Sequence, residues 1–329
     1  MAMLQGLYRR LINWKYFIFP PILIVCYYAL NYYNIFFIAH KLFFFFLLTI
    51  IVSIYGYWLN DNFDIKLDEV AKKRNFLAGY SLSFRLLIPI LLLSSVLLIW
   101  LIINNSRIAS LFLILEILFL SLYSAPPFRW KNHPLLGPLM DTHYSHVFPV
   151  FITIFYLELT FKSEYLLLIY FLLFLKGFRN ILIHQLEDRK NDRLLNLKSF
   201  PLIYGSLFTV KIINIVITIE FLLLLLLSKI FSVKSSVILS GFLIFIAFYM
   251  LFFSAWKFVH LSKRELQLKF FYFLNDFYEI WLPVLIILSL FVNVKLIIAL
   301  LIVHICFFRK NILLITNQVR KIFQNISSV

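Results

Sequence analysis

The chain has 329 residues, of which 63% are hydrophobic and 19% aromatic, while only 14% are charged. A mean hydropathy of +0.93 exceeds what a soluble core requires, so the composition excludes a soluble globular protein. Only helices and closed barrels satisfy their backbone in lipid, and these apolar runs are too long for barrel strands, so we predict an all-α polytopic membrane protein. The net charge of +16 does not indicate nucleic acid, because the basic residues gather in alternate loops, as membrane orientation produces.

The start of the chain, residues 1–15, is basic and polar, and no small-residue cleavage site follows the first apolar run. We therefore expect no cleaved signal peptide. The two cysteines, Cys26 and Cys306, lie inside apolar runs without metal-ligand spacing, so we expect both to be buried and to form no disulfide. Residues 1–329 are expected to form a single membrane domain, with a basic tail from about residue 309.

Ten apolar runs predict a bundle of nine or ten transmembrane spans around a central cavity, in which the tenth run is a short span or the second half of a bent ninth. A tight turn is expected at Asn104 and Asn105, between the third and fourth runs. The runs are about Tyr16–Tyr33, Phe36–Leu59, Leu86–Ile103, Ile108–Tyr123, His146–Leu159, Tyr165–His184, Ile203–Leu227, Val237–Trp256, Ile280–Leu290 and Leu296–Phe308.

The second run leads directly into a cluster of acidic residues, which comprises Asn60, Asp61, Asp64 and Asp68. If the helix continues through the cluster, steps of ~100° per residue put its three carboxylates on one face, over roughly 10 Å of the helix axis. Side chains at these spacings meet, so the like charges repel and something positive must offset them. Mg²⁺ that carries phosphate oxygens is the obvious candidate, and a polar helix end in water is the alternative.

The order Asn-Asp-x-x-Asp-x-x-x-Asp in this cluster resembles the first signature of the UbiA family of intramembrane prenyltransferases. The family's second signature, Asp-x-x-x-Asp, is similar to Asp188 and Asp192, which follow the sixth run and share a helix face. Gln185 stands where many members carry a further Asp. Farther along, residues 196–201 look like the family's Gly-x-Lys-Thr-x-Pro segment. Asn196 stands in the place of its Gly, and Asn tolerates the left-handed backbone conformation better than most residues.

The segment from Tyr123 to Lys131 contains adjacent prolines, Pro126 and Pro127, which exclude a helix. It resembles a Tyr-Ser-x-Pro-Pro-x-Arg-x-Lys segment that the family carries at this place. The resemblance implies that Arg129 and Lys131 contact a diphosphate. The alternative is a basic interfacial loop with aromatic residues.

The resemblance implies an Mg²⁺-dependent transferase that moves a prenyl group from a prenyl diphosphate to an aromatic or lipid acceptor. Metal and cations would stabilise the departing diphosphate. The metal ligands implied are Asp61, Asp64, Asp188 and Asp192, and Asn60 and Asp68 complete the catalytic set. The substrate-binding residues implied are Lys73, Arg74, Tyr123, Arg129, Lys131 and Arg193. The partners implied are the donor, a hydrophobic acceptor and membrane lipid, with no nucleic acid.

Both acidic motifs follow even-numbered runs, which places them on the same side of the membrane. The basic loops lie on that side too, so the positive-inside rule predicts an active site on the cytoplasmic face of the inner or plasma membrane.

Three alternatives to prenyl transfer stay open at this point. Relatives with the same fold use phosphoribosyl diphosphate with a polyprenyl phosphate, and others cyclise terpenes. A cation transporter is disfavoured, because carboxylates on a transport path should lie at mid-membrane depth, and these follow the ends of runs.

The segment Asn275–Glu279 is either the N-cap of the ninth span or an acid or base on the acceptor side.

Overall fold

The computed structural model describes residues 11, 18–103, 106–227, 235–255, 262–290 and 292–326, so the chain start and the predicted turn at Asn104 and Asn105 lie outside the described residues. All regular secondary structure in the described part is helical, which confirms the predicted fold class. The α-helices are α1 (Ile18–Ala29), α2 (Ile35–Val70), α3 (Leu82–Ile103), α4 (Arg107–Ser124), α5 (Leu136–Thr142), α6 (Phe148–Tyr156), α7 (Ser163–Leu194), α8 (Phe200–Ile203), α9 (Ser206–Leu227), α10 (Ser235–Ser254), α11 (Lys263–Asp276), α12 (Leu282–Leu288), α13 (Val294–Phe307) and α14 (Arg309–Ile326).

Seven helical segments in the described residues are long and apolar enough to cross a membrane. They are Ile35–Val70, Leu82–Ile103, Arg107–Ser124, Ser163–Leu194, Ser206–Leu227, Ser236–Ser254 and Lys263–Leu288, and α1 and α13 are shorter apolar helices. Lipid requires its spanning segments to satisfy their own backbone, and these helices do so. The segments are those of an integral membrane protein.

Helices α2 and α7 extend well beyond their apolar portions. With 36 and 32 residues they are about 54 and 48 Å long, against roughly 30 Å for a bilayer core. The last turns of α2 carry Asn60 to Asp68, and those of α7 carry Asp188 and Asp192. The expectation that helices continue through both acidic motifs is therefore correct.

The contacts within the chain divide it into two units, of which the first comprises residues 1–18 and 33–213. In this unit α2 packs against α3 and α4, α4 packs against α5 and α6, and α5 packs against α7. Buried apolar side chains, such as Phe45 and Trp58 of α2 and Ile152 of α6, fill the contacts between these helices. The packing holds both acidic helix ends in one unit.

The fifth span begins ten residues earlier than the sequence predicts. Helix α5 starts at Leu136, and a π-helical turn, His143–Val147, joins it to α6. The predicted start at His146 is wrong because the polar side chains of α5 interrupt the apolar run, although its backbone is helical. Polar residues such as Asp141 thereby become part of the helix bundle.

The second unit comprises residues 19–32 and 214–329. Helix α11 starts at Lys263 behind a capping box formed by Ser262 and Glu265, and it continues through the π-helical turn Phe277–Trp281 into α12. Asn275 and Asp276 therefore lie inside a helix, and the predicted N-cap at the start of the ninth span is wrong.

Asp276 is accommodated inside this helix by polar partners. Lys269 Nζ lies 2.7 Å from its carboxylate, and the Tyr249 hydroxyl also donates to it. The sequence could not show these partners.

In the same unit both cysteines are free, as expected, but only Cys26 is buried; Cys306 lies on an exposed side of α13, which corrects the prediction for that residue.

Candidate active site

A cavity of about 340 Å³, called the acidic cavity below, lies at the C-terminal ends of α2 and α7 in the first unit. It brings together motifs that are 120 or more residues apart in sequence. The residues from the predicted site that line it are Asn60, Asp61, Asp64, Asp68, Lys73, Tyr123, Lys131, Asp188 and Asp192.

Asp64 lies between two cations of the loop that follows α4. Lys131 Nζ is 2.5 Å from both carboxylate oxygens of Asp64, and Arg129 Nη2 is 2.5 Å from one of them. Lys131 also donates to Asn60 Oδ1 at 2.9 Å. Positive charge thus offsets the repulsion between the carboxylates of α2, as the sequence required.

The loop that supplies these cations is shaped by its backbone. The peptide bond between Pro126 and Pro127 is cis, and Arg129 adopts a left-handed φ of 40° just before a 3₁₀ turn that begins at Trp130. The prediction that the prolines exclude a helix here is correct. The turn brings Arg129 and Lys131 back towards α2.

Asp68 is held by a residue that sequence reasoning did not assign. Asn75 Nδ2 donates to Asp68 Oδ2 at 2.8 Å and to the backbone oxygen of Asp61 at 2.7 Å. Its Oδ1 accepts from the Leu77 backbone N–H. Asn75 thus fixes the end of α2.

On the α7 side of the acidic cavity, Asp188 lies 3.7 Å from His184 Nε2. Gln185 Oε1 accepts from the Phe200 backbone N–H, so this side chain anchors the start of α8. Asn196 has a φ of 52°, which confirms the reason given for its replacing Gly.

Three predicted substrate-binding residues, Arg74, Arg129 and Arg193, do not line the acidic cavity. Arg74 and Arg193 are exposed, whereas Arg129 is partly buried against Asp64. Lys73 does line it, although it is also exposed. The roles assigned to these residues stay predictions.

Burial lowers the pKa of the Lys131 ammonium below its ordinary value, because its charge is partly removed from water. The neighbouring Asp64 opposes this shift by favouring the charged form, but the effect of burial is larger.

The donor set of the acidic cavity fits Mg²⁺. Carboxylate and amide oxygens from two helices line one space, and Asp61 among them is 1% exposed. In the described part of the chain, no three His, Cys, Asp or Glu side chains are grouped to hold a metal by themselves. Mg²⁺ typically binds one or two carboxylates together with substrate phosphates, so this arrangement suits an ion shared with a diphosphate.

A second cavity of about 380 Å³, called the inner cavity below, shares Asn60, Tyr123, Ile181 and His184 with the acidic cavity. Its lining includes polar residues that sequence reasoning missed: Glu116, Asp141, Tyr144 and Ser145. Of these four, Glu116 carried a signal in the sequence, because it is a carboxylate within the predicted fourth run and such carboxylates indicate function by default.

The sequence model of the UbiA prenyltransferase family matches residues 18–277. The chain belongs to the UbiA prenyltransferase family. The matched region contains both acidic motifs and the double-proline loop, so membership confirms the resemblance drawn from them. It also confirms the enzyme class, a membrane-embedded transferase of prenyl groups.

Solved structures of other UbiA proteins share the fold. A UbiA homolog from Archaeoglobus fulgidus bound to GPP and Mg²⁺ has a TM-score of 0.59 at 16% identity, covering 84% of this chain and 97% of that one. The same homolog bound to DMAPP and Mg²⁺ has a TM-score of 0.59 at 15% identity, covering 84% of this chain and 96% of that one. A digeranylgeranylglyceryl phosphate synthase has a TM-score of 0.51 at 20% identity, covering 92% of this chain and 97% of that one. In a comparison with curated proteins, none matched this chain.

Proposed function

We propose that this UbiA-family protein moves a prenyl group from a prenyl diphosphate to a hydrophobic acceptor, with Mg²⁺, in the acidic cavity. The observation that carries the proposal is that both acidic motifs line one cavity beside Lys131, with Arg129 in contact with Asp64. The fold of the Archaeoglobus fulgidus homolog, whose structures contain GPP or DMAPP with Mg²⁺, supports it.

The residues that would hold the metal are Asp61 and Asp64 on α2 and Asp188 and Asp192 on α7. When bound, Mg²⁺ supplies positive charge that stabilises the departing diphosphate. Asn60 and Asp68 flank these ligands, and Asn75 holds Asp68 in place.

The diphosphate would meet the cations that Asp64 now orients. Lys131 is a point charge and Arg129 offers a planar fork of donors, and phosphate binds both kinds of group. Because Asp64 and Asn60 already fix these donors, the stabilisation of leaving-group charge needs little reorganisation.

The active site is proposed to face the cytoplasm of the inner or plasma membrane. The support is the gathering of Lys and Arg in the loops that accompany the acidic motifs, which is the pattern of the positive-inside rule.

The test measures diphosphate release from geranyl diphosphate by the purified protein, with Mg²⁺ or with excess chelator. We expect the release to require the metal, and Asp61→Asn to lower it by about 100-fold or more. Glu69→Gln is the matched control, because Glu69 is an exposed carboxylate on the same helix and lies outside the cavity lining. Release at the full rate in chelator would refute the proposal.

A further inference from the structure

The lining of the inner cavity differs in charge from that of the acidic cavity. Two carboxylic acids line it, Glu116 from α4 and Asp141 from α5. Hydroxyl groups of Tyr144 and Ser145 accompany them. Among the described residues, no Lys or Arg lines this space, whereas Lys73 and Lys131 both line the acidic cavity. His184 also lines the inner cavity, and its Nε2 lies 3.7 Å from Asp188.

Asp141 is arranged to accept a proton or a hydrogen bond from the cavity. The Tyr144 hydroxyl donates to its Oδ1 at 2.6 Å, and the carboxyl group lines the cavity and is partly accessible to it. Within the part of the chain that the structure describes, no Lys or Arg forms an ion pair with Asp141. The carboxyl group therefore retains capacity to accept from a ligand.

The two cavities meet at residues that belong to both. Tyr123 lines each of them, and its ring contacts Tyr144 edge-on with centroids 5.3 Å apart. Asn60, Ile181 and His184 also line both cavities. A molecule in the inner cavity would thus reach the donor at the Tyr123 boundary.

We propose that the inner cavity binds the acceptor, and that this acceptor is an uncharged molecule whose hydroxyl group donates to Asp141. The inference rests on the proposed prenyl transfer and names the acceptor class for that site. An anionic acceptor would place its charge beside the Asp141 carboxylate, where no Lys or Arg of the described lining offsets the repulsion. A neutral hydroxyl satisfies the carboxylate without adding a charge to a buried space.

The transfer step then balances within the site. The bond between C1 of the prenyl group and the diphosphate oxygen breaks, and its electron pair leaves on the diphosphate. The hydroxyl oxygen of the acceptor forms the new bond to C1. The proton that its hydroxyl loses passes to the Asp141 carboxylate, beside the Tyr144 hydroxyl that already donates to Oδ1.

The rival occupant of the inner cavity is the prenyl tail of the donor. A tail would cover Asp141, Glu116 and the neighbouring hydroxyls with hydrocarbon, and polar groups are costly to bury without partners. These polar groups therefore favour an acceptor hydroxyl, and apolar neighbours such as Val52 and Leu120 suit the rest of a hydrophobic acceptor.

The test uses geranyl diphosphate with two probes that differ by one carboxylate, 1-naphthol and 1-hydroxy-2-naphthoate. We expect the wild-type kcat/KM for 1-naphthol to exceed that for the carboxylated probe by about tenfold or more. Asp141→Asn should lower transfer to 1-naphthol by about 100-fold and remove the acid limb of its pH profile.

Asp141→Glu keeps a carboxyl group and should restore part of the transfer, and Glu164→Gln, at an exposed site, is the control. Preference for 1-hydroxy-2-naphthoate, equal use of the probes, or use of neither while donor hydrolysis persists would overturn the inference and leave the proposed function standing. Absence of metal-dependent donor hydrolysis would instead overturn both.

Discussion

Lys131 Nζ lies 2.5 Å from both carboxylate oxygens of Asp64, although 67 residues separate them in sequence. The contact joins the double-proline loop to the first acidic motif. A buried carboxylate without a partner would be costly, and Lys131 removes that cost while keeping its ammonium at the cavity. The cation that would bind the donor is thus placed by the same carboxylate that is proposed to bind the metal.

Lys131 should make donor binding sensitive to alkaline pH. Because burial lowers its pKa, its charge is present at low pH and is lost at a lower pH than for an exposed Lys. The KM for geranyl diphosphate should therefore rise as the pH increases through this lowered pKa. Lys131→Arg keeps its charge at any accessible pH and should move the rise to higher pH.

The measurement is KM from pH 6 to 10 in wild type, Lys131→Arg and the control Lys66→Arg, which changes an exposed residue of α2. Identical alkaline profiles in all three would show that Lys131 does not titrate in donor binding.

The two acidic motifs should act as one unit. Asp64 and Asp192 line the same cavity from different helices, so a metal held jointly by the two motifs would depend on both carboxylates. Asp64→Asn and Asp192→Asn should each remove most of the single-turnover rate. Groups that act together show non-additive losses, so the double variant should be little slower than the slower single variant.

The four members of this cycle are compared at saturating donor. Free-energy losses that simply sum would indicate separate roles for the two carboxylates.

Gly177 should be required for the contact between α7 and the segment that carries Asp141. A Cβ at this position would lie 2.7 Å from His146 Cδ2 and 2.9 Å from Thr142 Cγ2, and both side chains are buried. Gly177→Ala should therefore destabilise the protein by about 1–3 kcal/mol through overpacking.

Thermal unfolding in detergent measures this effect. Gly79→Ala is the control, because a Cβ there meets nothing within 4 Å. Equal melting temperatures for the two variants would contradict the proposed close packing.

The double-proline loop should face the cytoplasm. Ser124 is buried, so Phe128, which is 56% exposed, is the better position for a cysteine label. With Cys26 and Cys306 replaced by Ala, Phe128→Cys should react with an impermeant maleimide in right-side-out vesicles only after permeabilisation. Ser163→Cys, in an exposed position at the start of α7, should react without it. The opposite labelling pattern would reverse the proposed orientation.

The sequence by itself determined the all-helical membrane class, the family and the two acidic motifs. These features are local, because an apolar run predicts a membrane helix and spacings of three and four residues place Asp61, Asp64 and Asp68 on one face. The position of Arg129 and Lys131 directly after the prolines likewise predicted a loop that carries both cations.

Only the tertiary structure decided which polar groups reach the cavities. Arg74 and Lys131 are both basic residues near a motif, yet Lys131 lines the acidic cavity and Arg74 does not, because the turn at Arg129 folds the loop back onto α2. Asp141 was not assigned to the site, because the polar side chains of α5 interrupt the apolar run and the predicted fifth span therefore began after it. For Asp276 the sequence left a helix cap and an acid or base as alternatives and could not show its interior helix position. Its partner Tyr249 lies 27 residues away in sequence, and only the folding of the second unit brings that hydroxyl to its carboxylate.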